Sequence, residues 1–206
     1  AARHRAGDPY LDLQLAAALA WRGDAVALAE AARLARSVRS DARLLRDGPL
    51  AIAAACLVGE TALSDGRPDD ALRAFGEALG ISEFAASEAA SVLPLAGLAR
   101  AHARGRAPGK APGLARRALE RARRTGDPAG EARALLALAE AETRPADFVA
   151  AAETAARAPH RPLALDARTR AAEAGAAASD GLAEAARTMG ANGVLARLEA
   201  LASDDG

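Results

Sequence analysis

Between Val58 and Ala78 the chain reads VGETALSDGRPDDALRAFGEA, and this stretch limits the fold most because it demands two helices that cross closely. Gly59 and Ala71 are the small residues at the predicted crossing, and Gly66 to Pro68 break the chain between the helices. Glycine caps a helix C-terminus, and proline suits a first helical turn. Asp69 and Asp70 then fall where the positive end of a helix dipole favours them. Ala71, Phe75 and Ala78, at i, i+4 and i+7, give the second helix one apolar stripe facing the first. The wider composition agrees with a helical reading: the chain is 51% hydrophobic but 2% aromatic, and close to a third of it is alanine. Alanine favours helices, whereas a sheet core wants β-branched and aromatic residues. The fold class expected is all-α.

The same pattern recurs along the 206 residues. Ala16, Gly59, Gly97, Ala137 and Thr169 are read as successive crossing residues, roughly 32 to 43 positions apart. They predict hairpins over 9–46, 49–80, 82–126, 127–158 and 161–190. Asp8 with Pro9, and Asp127 with Pro128, are helix starts, and Ser82 is read as the opening of the third hairpin. Pro94 should kink that hairpin's first helix or split it near Val92. Residues 105–113, GRAPGKAPG, read as a loop inserted within the third hairpin, and Pro159 and Pro162 as bracketing a turn. Leu182, Ala186 and Met189 supply the last stripe, and a capping helix over 192–203 should cover it through Val194, Leu195, Leu198 and Leu201. The lead-in, Ala1 to Gly7, carries no assignment. Ala1 in place of an initiator Met leads us to expect a piece of a larger protein.

The set Gly59, Gly66, Ala71, Phe75 and Ala78 resembles the tetratricopeptide repeat (TPR). That resemblance implies a right-handed superhelix of antiparallel helix hairpins, an α-solenoid whose first helices line a concave face. The long helices, and the Ala186 to Ala191 ending ahead of an Arg- and Leu-bearing helix, are similar to the C-terminal TPR region of large bacterial LuxR-type ATP-binding transcriptional regulators. In such proteins the array is a sensing or docking arm. The resemblance therefore implies a protein or peptide partner held on the concave face by Tyr10, Leu13, Ala17 and Trp21, then Cys56, Glu60 and Ser64, then Leu98 and His102, then Glu131, Leu138 and Glu142. Trp21 and Tyr10, the only Trp and Tyr, are residue types enriched at interface hot spots. Trp21 has an equally good reading as a cover for the turn at Gly23.

Other chemistries find little support. Lys plus Arg and Asp plus Glu balance at 27 each, so no broad field recruits nucleic acid or an anionic membrane. Arg116, Arg117, Arg121 and Arg124 form one basic patch, read as a solvated face in preference to a phosphate-binding one. His4, His102 and His160 lie too far apart to suggest a metal site, and no cofactor is expected. The Gly105 to Lys110 segment lacks a phosphate loop's spacing, with Ala111 where Ser or Thr would hold magnesium. Cys56, the single cysteine, permits no internal disulfide and suits a reducing cytoplasm; beside Glu60 its thiol should be inert. No apolar run is long enough to span a bilayer. An enzyme is not expected. Ligand sensing through an apolar pocket, or a homodimer formed through the second helices or an uncapped end, are the alternatives.

Overall fold

The computed structural model describes residues 8–158 and 160–204, so the lead-in with His4, and Pro159 of the predicted turn, lie outside the described residues. Eleven α-helices and no strand occur among them. These are α1 (Pro9–Arg22), α2 (Ala25–Leu45), α3 (Gly48–Ser64), α4 (Pro68–Phe84), α5 (Glu88–Arg104), α6 (Ala111–Thr125), α7 (Pro128–Glu142), α8 (Pro145–Arg157), α9 (Arg161–Glu173), α10 (Leu182–Thr188) and α11 (Asn192–Asp204). A 3₁₀ turn, Pro108–Lys110, precedes α6.

Side-chain caps set where the first helix of each hairpin begins. Asp8 accepts from Tyr10 N at 2.9 Å, Asp47 from Leu50 N at 3.0 Å, and Asp127 from Gly130 N at 2.9 Å. Ser87 accepts from Ala90 N at 3.3 Å and His160 Nδ1 from Leu163 N at 3.1 Å. A cap satisfies a backbone N–H that the helix leaves open and contributes about 1 kcal/mol. The five caps are 39, 40, 40 and 33 residues apart, which makes them a more regular ruler than the crossing residues.

Helices pack against their chain neighbours, and α5 also adjoins α3 and α7, so first helices form one layer and second helices the other. Together they make a right-handed superhelix of antiparallel hairpins with α11 as the covering helix. Phe75 is fully buried against Ala55, Cys56, Ala71, Ala78 and Ala101. Its ring lies over both Gly59 and Gly97, where an added Cβ would fall 2.6 and 2.3 Å from ring carbons. Ala16, Ala137 and Thr169 are also fully buried.

Two local expectations are corrected, and a third is narrowed. Of the kink or split expected at Pro94, the split does not occur: α5 runs unbroken from Glu88 to Arg104 with Pro94 buried inside it, where tertiary packing outweighs one lost backbone bond. Ser82 does not open the third hairpin. It is buried within α4, its hydroxyl donating to Leu79 O at 2.8 Å, and Ser87 is the cap that starts α5. The loop after α5 is shorter than 105–113, because Pro112 sits in the first turn of α6, where its missing N–H costs nothing.

The superhelix curls far enough for its beginning to meet its end. Trp21 packs against the cluster of Leu165, Ala172, Leu182, Ala186, Val194 and Leu198. Gly23, left-handed at φ 72°, lies so close to Gly193 that a Cβ on either would fall 3.0 Å from the other's Cα. Asn192 Nδ2 reaches Asp24 Oδ2 at 3.5 Å. Trp21 thus covers the far end of the array, a placement that neither earlier reading of this residue contained.

Candidate docking surface

Thirteen positions after each cap of a first helix stand Trp21, Glu60, Arg100, Glu140 and Glu173; six positions after stand Gln14, Ala53, Leu93, Arg133 and Asp166. These positions share one helix face, and charged members of adjacent repeats meet there. Arg100 Nη1 donates to Glu60 at 2.8 Å, and its Nε lies 3.3 Å from Glu140. Arg104 reaches Glu140 at 3.1 Å, and Arg170 pairs with the same carboxylate. Arg170 also holds Asp166 at 2.9 Å, and Arg197 bridges Asp166 at 2.9 Å and Glu173 at 2.6 Å. A continuous ladder of ion pairs therefore stitches α3, α5, α7, α9 and α11 along the inner layer.

The ladder is largely withdrawn from solvent, with Arg100, Glu140 and Arg170 side chains only 16, 11 and 15% exposed. Burial of Glu140 favours its neutral acid, but Arg100, Arg170 and Arg104 outweigh that and hold its carboxyl below the usual range. Asp166 behaves alike: burial opposes ionisation, and Arg170 and Arg197 override it, depressing its pKa strongly. Arg133 is the exception. Burial weakens its hold on its proton, Glu60 and Asp127 oppose that only in part, and no ion pair holds it among the described residues.

The predicted concave residues divide. Glu60 and Trp21 fall on the inner face. Exposed Ser64, whose hydroxyl donates to Glu60 O at 3.1 Å, stands one turn beyond Glu60. Cys56 does not reach the surface: it is 1% exposed in the Phe75 cluster, and burial together with Glu60 pushes its thiol far up. Leu13 packs on Val38, Ala42 and Leu50, Leu98 on the Phe75 cluster, and Leu138 on Ala115 and Ala118. Glu131 pairs with Arg123 at 2.9 Å and Glu142 with Arg116, both toward α6. His102, its Nδ1 buried without a hydrogen-bond partner, lies about 200° around α5 from Arg100. Burial and then Lys110 lower its pKa. Tyr10 is half exposed, and its hydroxyl donates to Asp47 at the start of α3.

The reason for this division is one of register. Gly59 and Gly97 touch the same ring but stand 12 and 10 positions after their caps, so they are not equivalent positions, and alignment on them rotates the inner face of α5 and α7. The regular spacing of Glu60, Arg100 and Glu140 at 40 residues was the missed signal. The basic patch is also resolved. Arg116 pairs with Glu142, Arg124 with Glu88 and Glu120, and Arg121 donates to Ser91 Oγ at 2.5 Å, while exposed Arg117 has no ion pair among the described residues. Three of its four arginines are thus already engaged. No group of three His, Cys, Asp or Glu among the described residues is placed to hold a metal ion, and no described helix is long and apolar enough to cross a membrane.

An open cleft of about 370 Å³ interrupts the inner layer where α5, α7 and α9 end, lined by Arg104, Glu140, Arg170, Glu173 and Phe148 among others. It offers charges of both signs beside one aromatic ring.

With this geometry in place, the class is that of TPR-like α-solenoids. The fold is similar to that of a Podosopora anserina protein described as a kinesin light chain of nearly identical TPR-like repeats, at 15% identity and a TM-score of 0.52, over 97% of this chain and 99% of that one. A single-substitution form of that protein superposes equally well, over 97% and 96%. No family model matches the sequence, and no curated protein matches it.

Proposed function

We propose that the chain is a docking scaffold that holds a protein or peptide on its inner layer, as the TPR-like arm of a larger bacterial signalling or transcription-control protein. The observation that carries the docking role is the convergence of Arg104, Arg170, Glu140 and Glu173 from three helices on one open cleft. The TPR-like neighbours support a binding role over catalysis, and the resemblance of the C-terminal helices to LuxR-type regulators supports the regulatory setting. Such a surface works by equilibrium binding to a largely preformed shape, with no bond made or broken. Much of the inner face is neutralised internally, so a partner gains most at Arg104 on the rim of the cleft, and at Arg133, which feels Glu60 and Asp127 but makes no ion pair among the described residues. An extended segment bearing a carboxylate suits both.

Selection of displayed random peptides on the immobilised chain tests this. Enriched peptides should carry acidic residues, bind in solution by calorimetry, and lose about tenfold or more in affinity with Arg104→Ala or Arg133→Ala, the scale of one charged hydrogen bond. Peptides that bind both variants as tightly as the parent would place docking elsewhere, and failure to enrich any sequence would argue against peptide capture.

A further inference from the structure

The ion-pair ladder runs from α3 to α11 and leaves out α1. Trp21 stands thirteen positions after its cap, where the other first helices carry Glu60, Arg100, Glu140 and Glu173, and Gln14 stands where Arg133 and Asp166 do. No ion pair of the ladder therefore reaches the first hairpin among the described residues. Trp21 packs instead against the apolar cluster of α9, α10 and α11.

That contact closes the array lightly. Besides the indole, the two ends share the Gly23–Gly193 backbone approach and the Asn192–Asp24 hydrogen bond, whose 3.5 Å is long for such a bond. Solenoid curvature is the sum of small rotations between repeats, so the ends can part with each joint turning slightly and every inter-repeat core kept. Closure bears on the inner layer. A concave face open to a partner shows its charges to water, whereas Arg100, Glu140 and Arg170 are only 16, 11 and 15% exposed. Arg133 is half-buried in the same layer and makes no ion pair among the described residues. A guanidinium so placed gains from a carboxylate that the closed array does not bring to it.

We propose that the meeting of α1 with α11 is an autoinhibitory latch: the Trp21 indole fills the apolar site of α9–α11 and keeps the array closed over Arg133, and an acidic segment docks fully only when the ends part. The latch rests on the docking reading above and adds its regulation. A partner carboxylate at Arg133 stabilises the open form, and by linkage any change that opens the latch strengthens docking.

An acidic peptide enriched on the immobilised chain and free of tryptophan supplies the test. Saturating the parent with it should shift Trp21 emission to the red, Trp21 being the only tryptophan. Trp21→Ala and Gly193→Val each remove one part of the latch. Both should bind the peptide on the order of tenfold more tightly by calorimetry, as a closed form in about tenfold excess weakens apparent affinity by that factor. Far-UV circular dichroism reports whether each variant keeps its helices, and either folded variant suffices. A library that enriches only on the variants gives the same result in its strongest form. Equal or weaker binding by the folded variants, or unshifted emission at saturation, overturns the latch and leaves the docking reading standing. A library that enriches nothing on the parent or on either variant removes both.

Discussion

Phe75 occupies space that only the absence of two side chains makes available. Alanine is the better helix former by about 1 kcal/mol, so propensity alone expects Gly97→Ala to stabilise α5. The added methyl would sit 2.3 Å from the ring, in a site with no room to yield. We expect net destabilisation of about 1–3 kcal/mol in urea titration, the usual cost of overpacking. Phe75→Leu in the Gly97→Ala background should recover part of it, since neighbours in contact are not additive. Gly59 and Phe75 were legible because their spacing fits a helix crossing and phenylalanine, with three in the chain, is rare enough to stand out. The role of Gly97 was only half legible: it was read as a crossing residue, but its partner is the ring behind it, and no one-dimensional pattern distinguishes the two sides of a helix end to end. Cys56 shares a stripe with Glu60, which reaches the inner face, but its short side chain ends inside the Phe75 cluster.

At the scale of elements, the ion-pair ladder makes the inner layer sensitive to acid. Asp166 and Glu140 are held below the ordinary carboxylate range in the folded chain, so the unfolded chain takes up protons first. Their contribution is fully present above about pH 4, the unfolded carboxylate range, and drains as pH falls through the depressed folded values. The melting temperature should therefore be level from neutral pH to about 5 and fall steeply below 4. Asp166→Asn should melt lower at neutral pH, because Arg170 and Arg197 lose a buried partner, yet fall less between pH 5 and 3; melts followed by circular dichroism at both ends of that window check this. Helix starts at Asp8 and Asp127 were plain in sequence, since a capping side chain acts within three residues, whereas Asp47 is the cap of α3 and had no such reading. The ladder was not plain, because its links between helices join residues 24 to 40 positions apart in a chain where arginine and glutamate are common at nearly every helical face.

For the molecule as a whole, the all-helical tandem architecture was readable, and the degree of curvature was not, because it arises from small rotations accumulated from repeat to repeat. Curvature decides that Trp21 meets α11. Gly193→Val should force the two ends apart, since a Cβ there falls 3.0 Å from the backbone of Gly23. As the only tryptophan, Trp21 then reports directly: its emission should shift to the red while helix content is kept. An unshifted spectrum would mean that the backbone contact does not hold the indole in place. The meeting of the ends also alters how the chain comes undone. A free-ended solenoid frays from its weaker terminus and unzips repeat by repeat. Here the opening hairpin borrows protection from the closing helix nearly 170 residues later, so the amides of α1 should exchange with deuterium only as fast as those of α11, and loss of the last helix would loosen the first.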